Sequence, residues 1–313
     1  MKRAFVFPGQ GSQQPGMGRD LAEIFAPARL LFEEVDDALS QHLSRLMFEG
    51  PESDLTLTEN AQPALLAASL AVIRVLEAEA GFDIAKQVAY VAGHSLGEYS
   101  AHAAAGTFSV PDAVRLVKRR GQAMQKAVPV GEGAMAALLG LDIDAARAIA
   151  EGTHGFGVCV VANDNCPGQI VVSGSAAAVG RAVELAAEQG ARRSIMLPVS
   201  APFHCPLMAP AAAAMEEALG DVALKAPSVP VVANVTAAPT SDPAEIKDLL
   251  IEQVTRMVRW RETVLLFKAQ EVEEVVEIGS GRVLAGLVKR IDRELPASSV
   301  GAAAEVEALM KRL

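Results

Sequence analysis

Gly93-His94-Ser95-Leu96-Gly97 is a G-x-S-x-G pentapeptide set between a short apolar run, Val88 to Ala92, and a stretch of small, helix-forming residues. Strand, sharp turn and helix in that order put a serine hydroxyl at the head of a helix, where free N–H groups and the helix dipole favour negative charge. The flanking glycines keep the turn tight and the approach to the serine clear. The chemistry on offer is nucleophilic attack on an acyl carbon, leaving a covalent acyl-serine. An ordinary turn with a capping serine is the plainer alternative; the flanking strand and helix favour the nucleophile.

Such a serine needs a base, and the histidines are His42, His94, His102, His154 and His204. His42 falls in a polar helix, His154 in a Gly-rich turn and His102 in the helix after the serine. His94 adjoins Ser95, so its ring is expected to point elsewhere around the elbow. His204, in SAPFHCPLM, lies on a Pro-rich segment ahead of a helix, where the chain returns from an inserted region. A loop held between two domains is a natural seat for a base, although a packed loop histidine would fit the same segment.

Arg120 is the third candidate. In the helix begun near Pro111 and Asp112, Ala113, Val117, Met124 and Val128 share one face at helical spacing, and Arg120 lies in that stripe. Arg115, Lys118, Arg119 and Lys126 fall on the opposite side, which reads as solvated. An arginine facing a core demands an anion, either an internal Asp or Glu or an acidic group of a substrate.

These residues must be held by an α/β framework. At 313 residues the chain exceeds a single small core, and its 51% hydrophobic content includes only 4% aromatics, so Ala, Val, Leu and Ile must fill helices packed on a mostly parallel sheet. RAFVF at 3–7 reads as a buried strand, and a helix is expected from Pro63 to Gly81. After Pro129 the pattern becomes strand (AMAALLGL), helix (DIDAARAIAEG), two strands (VCVVAN and QIVVSG, linked by DNCPG), helix (AAAVGRAVELAAEQG) and strand (RRSIMLPV). That order, β-α-β-β-α-β, is ferredoxin-like. The expected organisation is a large α/β core over 1–129 and 200–313 with residues 130–199 inserted. The strands PVVAN and VEEVVEIG and a last helix after Gly301 complete the core.

Pro8 and Gly9 cut off the N-terminal apolar run well short of a signal or membrane segment, which points to the cytoplasm. Cys159, Cys166 and Cys205 have no paired metal-ligand spacing and are too few for a disulfide framework, so they read as reduced, with no metal. The net charge of -10 argues against general nucleic-acid binding.

The blocks FVFPGQGSQ (5–13), GHSLGEYSA (93–101), VKRRGQAMQ (117–125), VVANDNCPGQIVVSG (160–174), PVSAPFHCPLM (198–208) and EIGSGRVLAGLVKR (277–290) occur in order along the chain. With them the sequence resembles the malonyl-CoA:acyl carrier protein transacylases, the acyltransferases of fatty-acid synthesis, over essentially its whole length. The resemblance implies a hydrolase-like parallel-sheet core with a ferredoxin-like insertion. It implies Ser95 and His204 as nucleophile and base without a carboxylate third member, the histidine being oriented through a backbone carbonyl at Gln253. The N–H groups of Gln10 and Leu96 would form the oxyanion hole, and Arg120 would grip the free malonyl carboxylate in a two-pronged pair. His94 would support the elbow or line the pocket, and Asn163 would lie near the site unless it only forms a turn. Basic residues at Arg192, Arg193, Lys289 and Arg290 match docking positions for the carrier. The implied partners are malonyl-CoA and acyl carrier protein, with coenzyme A thioester as substrate, no permanently bound cofactor and neither nucleic acid nor membrane.

Rival readings share parts of this set. A serine hydrolase or thioesterase would have the elbow and histidine but no reason for Arg120 on an apolar face. An acyltransferase for another extender unit of polyketide synthesis would differ only in its pocket; Phe203, unless it merely packs, would crowd an α-branched acyl group. A non-catalytic carrier-binding scaffold could dispense with Ser95 and His204.

Overall fold

The apolar run at the N-terminus becomes β1 (Arg3–Phe7), whose five residues are all buried, as expected of a central strand covered on both faces. The computed structural model describes residues 1–199 and 201–313. In it β1 pairs in parallel with β2 (Tyr90–Gly93) on one side and β9 (Glu274–Ile278) on the other. With β7 (Val231–Val232), β8 (Pro239–Thr240) and β10 (Ala297–Val300) the sheet runs β10-β9-β1-β2-β7-β8, antiparallel only at the β7–β8 edge. Alternate residues of β1 feed two cores. Phe5 and Phe7 pack with the helix Thr58–Ala80, whereas Ala4 and Val6 join Trp260, Val264, Leu284 and Val288 of the helices on the other face.

The helix expected from Pro63 begins at Thr58 and holds Pro63 inside. Proline there forfeits one backbone bond, but the buried residues on both sides of it keep the helix running. By length and composition this is the one helix among the described residues able to cross a membrane, and 83% of its most apolar window is buried within the protein. Gly81 ends it at φ 61°, the left-handed cap that glycine favours.

The second sheet is antiparallel and contains β3 (Gly133–Leu139), β4 (Cys159–Cys166), β5 (Gln169–Ser175) and β6 (Arg193–Met196), in the order β4-β5-β3-β6. The helices Ile143–Glu151 and Ala176–Glu188 give Ile149, Val179 and Ala182 to a small core with Ala136, Leu138, Ile170 and Val172. The mixed α/β architecture and the β-α-β-β-α-β order expected from the sequence are thus present. Ser200, where the core was expected to resume, lies outside the described residues.

Other sequence expectations also need correction, beginning with PVVAN, which is a strand only over Val231–Val232. DNCPG is not a five-residue linker, because β4 continues to Cys166 and leaves Pro167-Gly168 as the turn, with Gly168 at φ 72°. The strand read over RRSIMLPV is ordered as a strand only over Arg193–Met196. β10, whose residues are mostly half-buried Ala and Ser, lacks the apolar signature of a parallel strand and was not anticipated.

The small sheet is tied to the core through β4, which bonds the segment ahead of the helix Trp260–Ala269. Asn163 bridges to Val258, Asp164 N–H donates to the Val258 carbonyl at 3.0 Å, and Val258 N–H donates to the Ala162 carbonyl at 2.9 Å. Arg261 closes the seam with an ion pair to buried Asp164 at 2.8 Å. The cleft that results opens beyond the carboxyl ends of β1 and β2, where ligands of open parallel sheets bind.

Candidate active site

Ser95 stands one residue past the end of β2, after His94, and caps the helix Leu96–Ala104 with φ 54° and ψ -112°. A non-glycine residue held there costs about 1–3 kcal/mol, so its surroundings must enforce it. The flanking glycines are one means. A Cβ on Gly93 would stand 1.9 Å from the Gly97 carbonyl carbon, and one on Gly97 would stand 2.1 Å from the Phe7 carbonyl oxygen. Asn234, at the end of the PVVAN segment, is the other. Its Oδ1 accepts from Ser95 N–H at 2.7 Å and its Nδ2 donates to the Gly93 carbonyl at 2.6 Å, clamping the turn from both sides.

His204 is buried, at φ 57°, with Nε2 2.7 Å from Ser95 Oγ. Its Nδ1 lies 2.8 Å from the backbone carbonyl of Gln253. A carbonyl can only accept, so the ring proton sits on Nδ1 and Nε2 offers its lone pair to the serine hydroxyl. Burial first, then the nearby Arg120 charge, push the imidazole down to about 3, so it is neutral and ready to accept a proton at any physiological pH. The histidine is thus held by a carbonyl at Gln253 in place of a carboxylate.

Arg120 is 1% exposed, on the same face of the helix Val110–Ala127 as buried Ala113, Val117 and Met124; Val128, expected in that stripe, is the extended residue that ends the helix. The internal Asp or Glu that could have explained it does not bond to it. Its Nη1 donates to Gln62 Oε1 at 2.9 Å, and its Nη2 donates to Gln253 Oε1 at 2.9 Å and to Ser95 Oγ at 3.2 Å. The guanidinium also lies over the Tyr99 ring at 5.6 Å, and its buried Nε–H has no partner among the described residues. A buried cation held only by neutral amides, a hydroxyl and a ring face retains most of its appetite for an anion. The expected solvated side is more engaged than its charge suggested. Lys118 bonds Gln41 and Asn60, Arg119 pairs with Glu217, and Arg115 donates to the Ala38 carbonyl.

The cleft, of about 390 Å³, is lined from the core by Gln10, Ser95, Leu96 and Arg120, and from the small sheet by Asn163 and Val171. Leu96 begins the helix after the serine, and exposed Gln10 turns its side chain to Thr58, with Nε2 donating to Oγ1 at 3.2 Å. Phe203 and His94 also line it. The His94 ring, pushed below its ordinary value by burial, bonds Asn165 Oδ1 at 2.8 Å through Nε2 and packs beside Trp260 at 5.9 Å. Asn163 is a strand residue, not a turn former, at a register shift in β4 that points this part of the strand at the cleft.

The other histidines stand apart from the serine. His42 precedes the helix Leu43–Glu49 and does not lie within it; His102 is buried against Thr107, and His154 bonds the Glu151 carbonyl. Of the basic pairs, Arg192 and Arg193 are exposed just ahead of cleft-lining Leu197. Lys289 and Arg290 are exposed on the helix Val283–Ile291, and Arg290 bonds cleft-lining Gln169 at 2.6 Å. Asn234, Glu98, Gln62 and Asn165 were not singled out from the sequence. Glu98 lay inside a quoted motif, but nothing local marked it as buried.

The acyl transferase domain family matches residues 4–312. A malonyl CoA-acyl carrier protein transacylase of Bacillus subtilis is 48% identical over the whole chain and 97% of its own length, and one of Escherichia coli is 46% identical over 95% of each. Among solved structures, an acyl-carrier-protein-S-malonyltransferase of Bartonella henselae is 57% identical and superposes with TM-score 0.98, covering 100% of this chain and 99% of that one. A malonyl-transacylase solved with its type II polyketide acyl-carrier protein is 40% identical, with TM-score 0.96 and 100% of both chains covered. The chain therefore belongs to the acyl transferase family and, within it, to the malonyl CoA-acyl carrier protein transacylases.

Proposed function

We propose that the chain moves a malonyl group from malonyl-CoA to the phosphopantetheine thiol of an acyl carrier protein through an ester on Ser95, supplying extender units for fatty-acid synthesis. The observation that carries this reading is a buried arginine with no carboxylate partner among the described residues, 3.2 Å from a serine hydroxyl that is itself 2.7 Å from a neutral imidazole.

His204 Nε2 takes the Ser95 proton as Oγ attacks the thioester carbon, and the N–H groups of Gln10 and Leu96 receive the negative charge on the carbonyl oxygen. The carbon–sulfur bond then breaks and the sulfur of coenzyme A leaves with the proton from His204. In the second half the carrier thiol gives its proton to His204, its sulfur attacks the ester, and Ser95 Oγ leaves with that proton. Thioester, ester and thioester succeed one another without net oxidation, so the residues named suffice for the balance and no permanently bound cofactor enters. Arg120 holds the malonyl carboxylate throughout, Phe203 and His94 bound the acyl pocket, and Asn163 lines it from the small subdomain. Residues 130–199 act as that subdomain, closing the cleft over a core made of 1–129 and 200–313. Such a setting is the cytoplasm, which suits three unpaired cysteines.

A second reading, extender supply to polyketide synthesis, has the polyketide carrier complex of a 40% identical relative in its favour. A hydrolase has less, because His204 is oriented by a carbonyl and Arg120 is left for an anionic substrate.

Removing Arg120 tests the reading. A malonyl carboxylate carried into this cleft without its partner is stranded at a cost of roughly 3–5 kcal/mol. Arg120→Ala should therefore lower kcat/KM for malonyl-CoA by roughly a hundredfold or more, at ~1.4 kcal/mol per factor of ten, and spare acetyl-CoA. Arg120→Lys should recover only part, because lysine offers a point charge in place of a two-pronged fork. A parallel fall for both substrates would show Arg120 to be a structural residue and sink the selectivity argument.

A further inference from the structure

Glu98 lies in the first turn of the helix after Ser95 and is 1% exposed. It makes no ion pair among the described residues. Its Oε2 accepts from Gln253 Nε2 at 2.7 Å and from Asn234 N–H at 3.1 Å. The Gln253 amide faces both charges: its Oε1 accepts from Arg120 Nη2 at 2.9 Å, and its Nε2 donates to Glu98 and, at 2.9 Å, to the Ser95 carbonyl. Cation, amide and carboxylate form a line, each bond pointing the amide dipole in the sense that both charges favour.

We propose that Glu98 is the counter-charge of Arg120, set one amide behind it, and that loading the malonyl carboxylate on Arg120 drives Glu98 to take up a proton. The inference rests on the reading of Arg120 as the malonyl site. A direct Arg120–Glu98 pair would use the guanidinium fork and leave nothing for the substrate; an absent carboxylate would leave a bare buried cation. The relay avoids both. It compensates the charge, fixes the guanidinium through Gln253 and leaves the fork free of any carboxylate among the described residues.

With the malonyl carboxylate in place the enclosed charge goes from balanced to one negative in excess. The groups acting on Glu98 are Gln253 at the end of the helix Pro243–Gln253, Asn234 after β7 and Arg120 from the helix Val110–Ala127, and of these only Arg120 is charged. Nearby His204 and His94 are held neutral by burial, as is His102 on Glu98's own helix, and the Tyr99 phenol is pushed up and stays protonated. The excess charge therefore falls on Glu98. Burial already raises its carboxyl to about 7, and the bonds from Gln253 and Asn234 and the Arg120 charge oppose that rise only in part. A substrate carboxylate raises it further, so malonyl binding is favoured while Glu98 is protonated and weakens as pH climbs through that value. Acetyl binding adds no charge and is indifferent.

The test is the ratio of kcat/KM for malonyl-CoA to that for acetyl-CoA, followed from about pH 6 to about pH 9 in the parent, Glu98→Gln and Arg120→Ala. Titration of His204 and of the coenzyme A phosphates cancels in the ratio. The parent ratio should fall roughly tenfold, the factor for one unit of coupling, and the Glu98→Gln ratio should stay flat. In parallel, an indicator dye should report uptake peaking at roughly half a proton per acyl enzyme from malonyl-CoA, the most that one unit of coupling gives, between about pH 7 and about pH 8, and none from acetyl-CoA; this needs no variant. A flat parent ratio with no proton uptake, or an unchanged slope in Glu98→Gln, overturns the proposal while leaving Arg120 as the malonyl site if Arg120→Ala has lost its malonyl preference. Retention of that preference in Arg120→Ala overturns both.

Discussion

Ser95, His204 and Arg120 are legible in the sequence because each breaks a local pattern: a serine between glycines, a histidine in a Pro-rich return, a charge in an apolar stripe. Their supports break no pattern. Asn234 looks like the end of a strand, Gln62 like one residue of a helix and Gln253 like a surface glutamine, yet all three are buried and bond residues 58 to 158 positions away. Periodicity carries no information on such pairs. The state of His204, in contrast, follows only from its surroundings. Burial and Arg120 lower its pKa, so its charged form is the disfavoured one and protonation can stop the enzyme only as pH falls toward about 3. The kcat/KM profile for acetyl-CoA, which reports the free enzyme, should show no loss of activity from about pH 8 down to about pH 5. An acid limb near the ordinary histidine value would mean that His204 is far more solvated than it is here.

At the scale of elements, the position of Arg120 depends on how closely two helices approach. Gly121 follows it, and a Cβ there would stand 2.7 Å from both Glu59 Cα and the Thr58 carbonyl oxygen. Backbone cannot yield as a side-chain tip can, so Gly121→Ala must push the helix Val110–Ala127 away from Thr58–Ala80 and draw Arg120 off Gln62. We expect a stability loss of roughly 1–3 kcal/mol, the range for overpacking, together with a larger fall in malonyl than in acetyl transfer. Thermal unfolding and the two rates check this; an unchanged melting temperature would contradict the close contact. The sequence shows both helices but not their contact, and it misplaces the start of the longer one because Pro63 looks like a beginning. The Ala- and Ser-rich β10 carries too few apolar side chains to announce itself; its pairing with β9 holds it.

At the scale of the molecule, a net charge of -10 repels any acidic partner, so the approach of one must rely on local basic surface. Arg192 and Arg193 stand exposed at the start of β6, and Lys289 and Arg290 on the helix that borders the cleft. Reversing charge at Arg192 and Arg193 should lower kcat/KM for the carrier by roughly tenfold at low salt and flatten its salt dependence, with self-acylation by malonyl-CoA changed less than about twofold. Equal loss in both half-reactions would point to damage in the small sheet. The β-α-β-β-α-β order was readable from the alternation of strands and helices after Pro129. The seam between β4 and Val258 was not, since it is a backbone contact across some ninety-five residues that side-chain patterns do not encode.

The central claim is that malonyl passes through Ser95, and mass spectrometry of the protein mixed with malonyl-CoA tests it most directly. The account predicts a malonyl adduct on the peptide that contains Ser95, absent from Ser95→Ala, formed more slowly by several orders of magnitude in His204→Ala, and discharged when the thiol-bearing carrier is added. An adduct on another peptide, or undiminished transfer by Ser95→Ala, would contradict it.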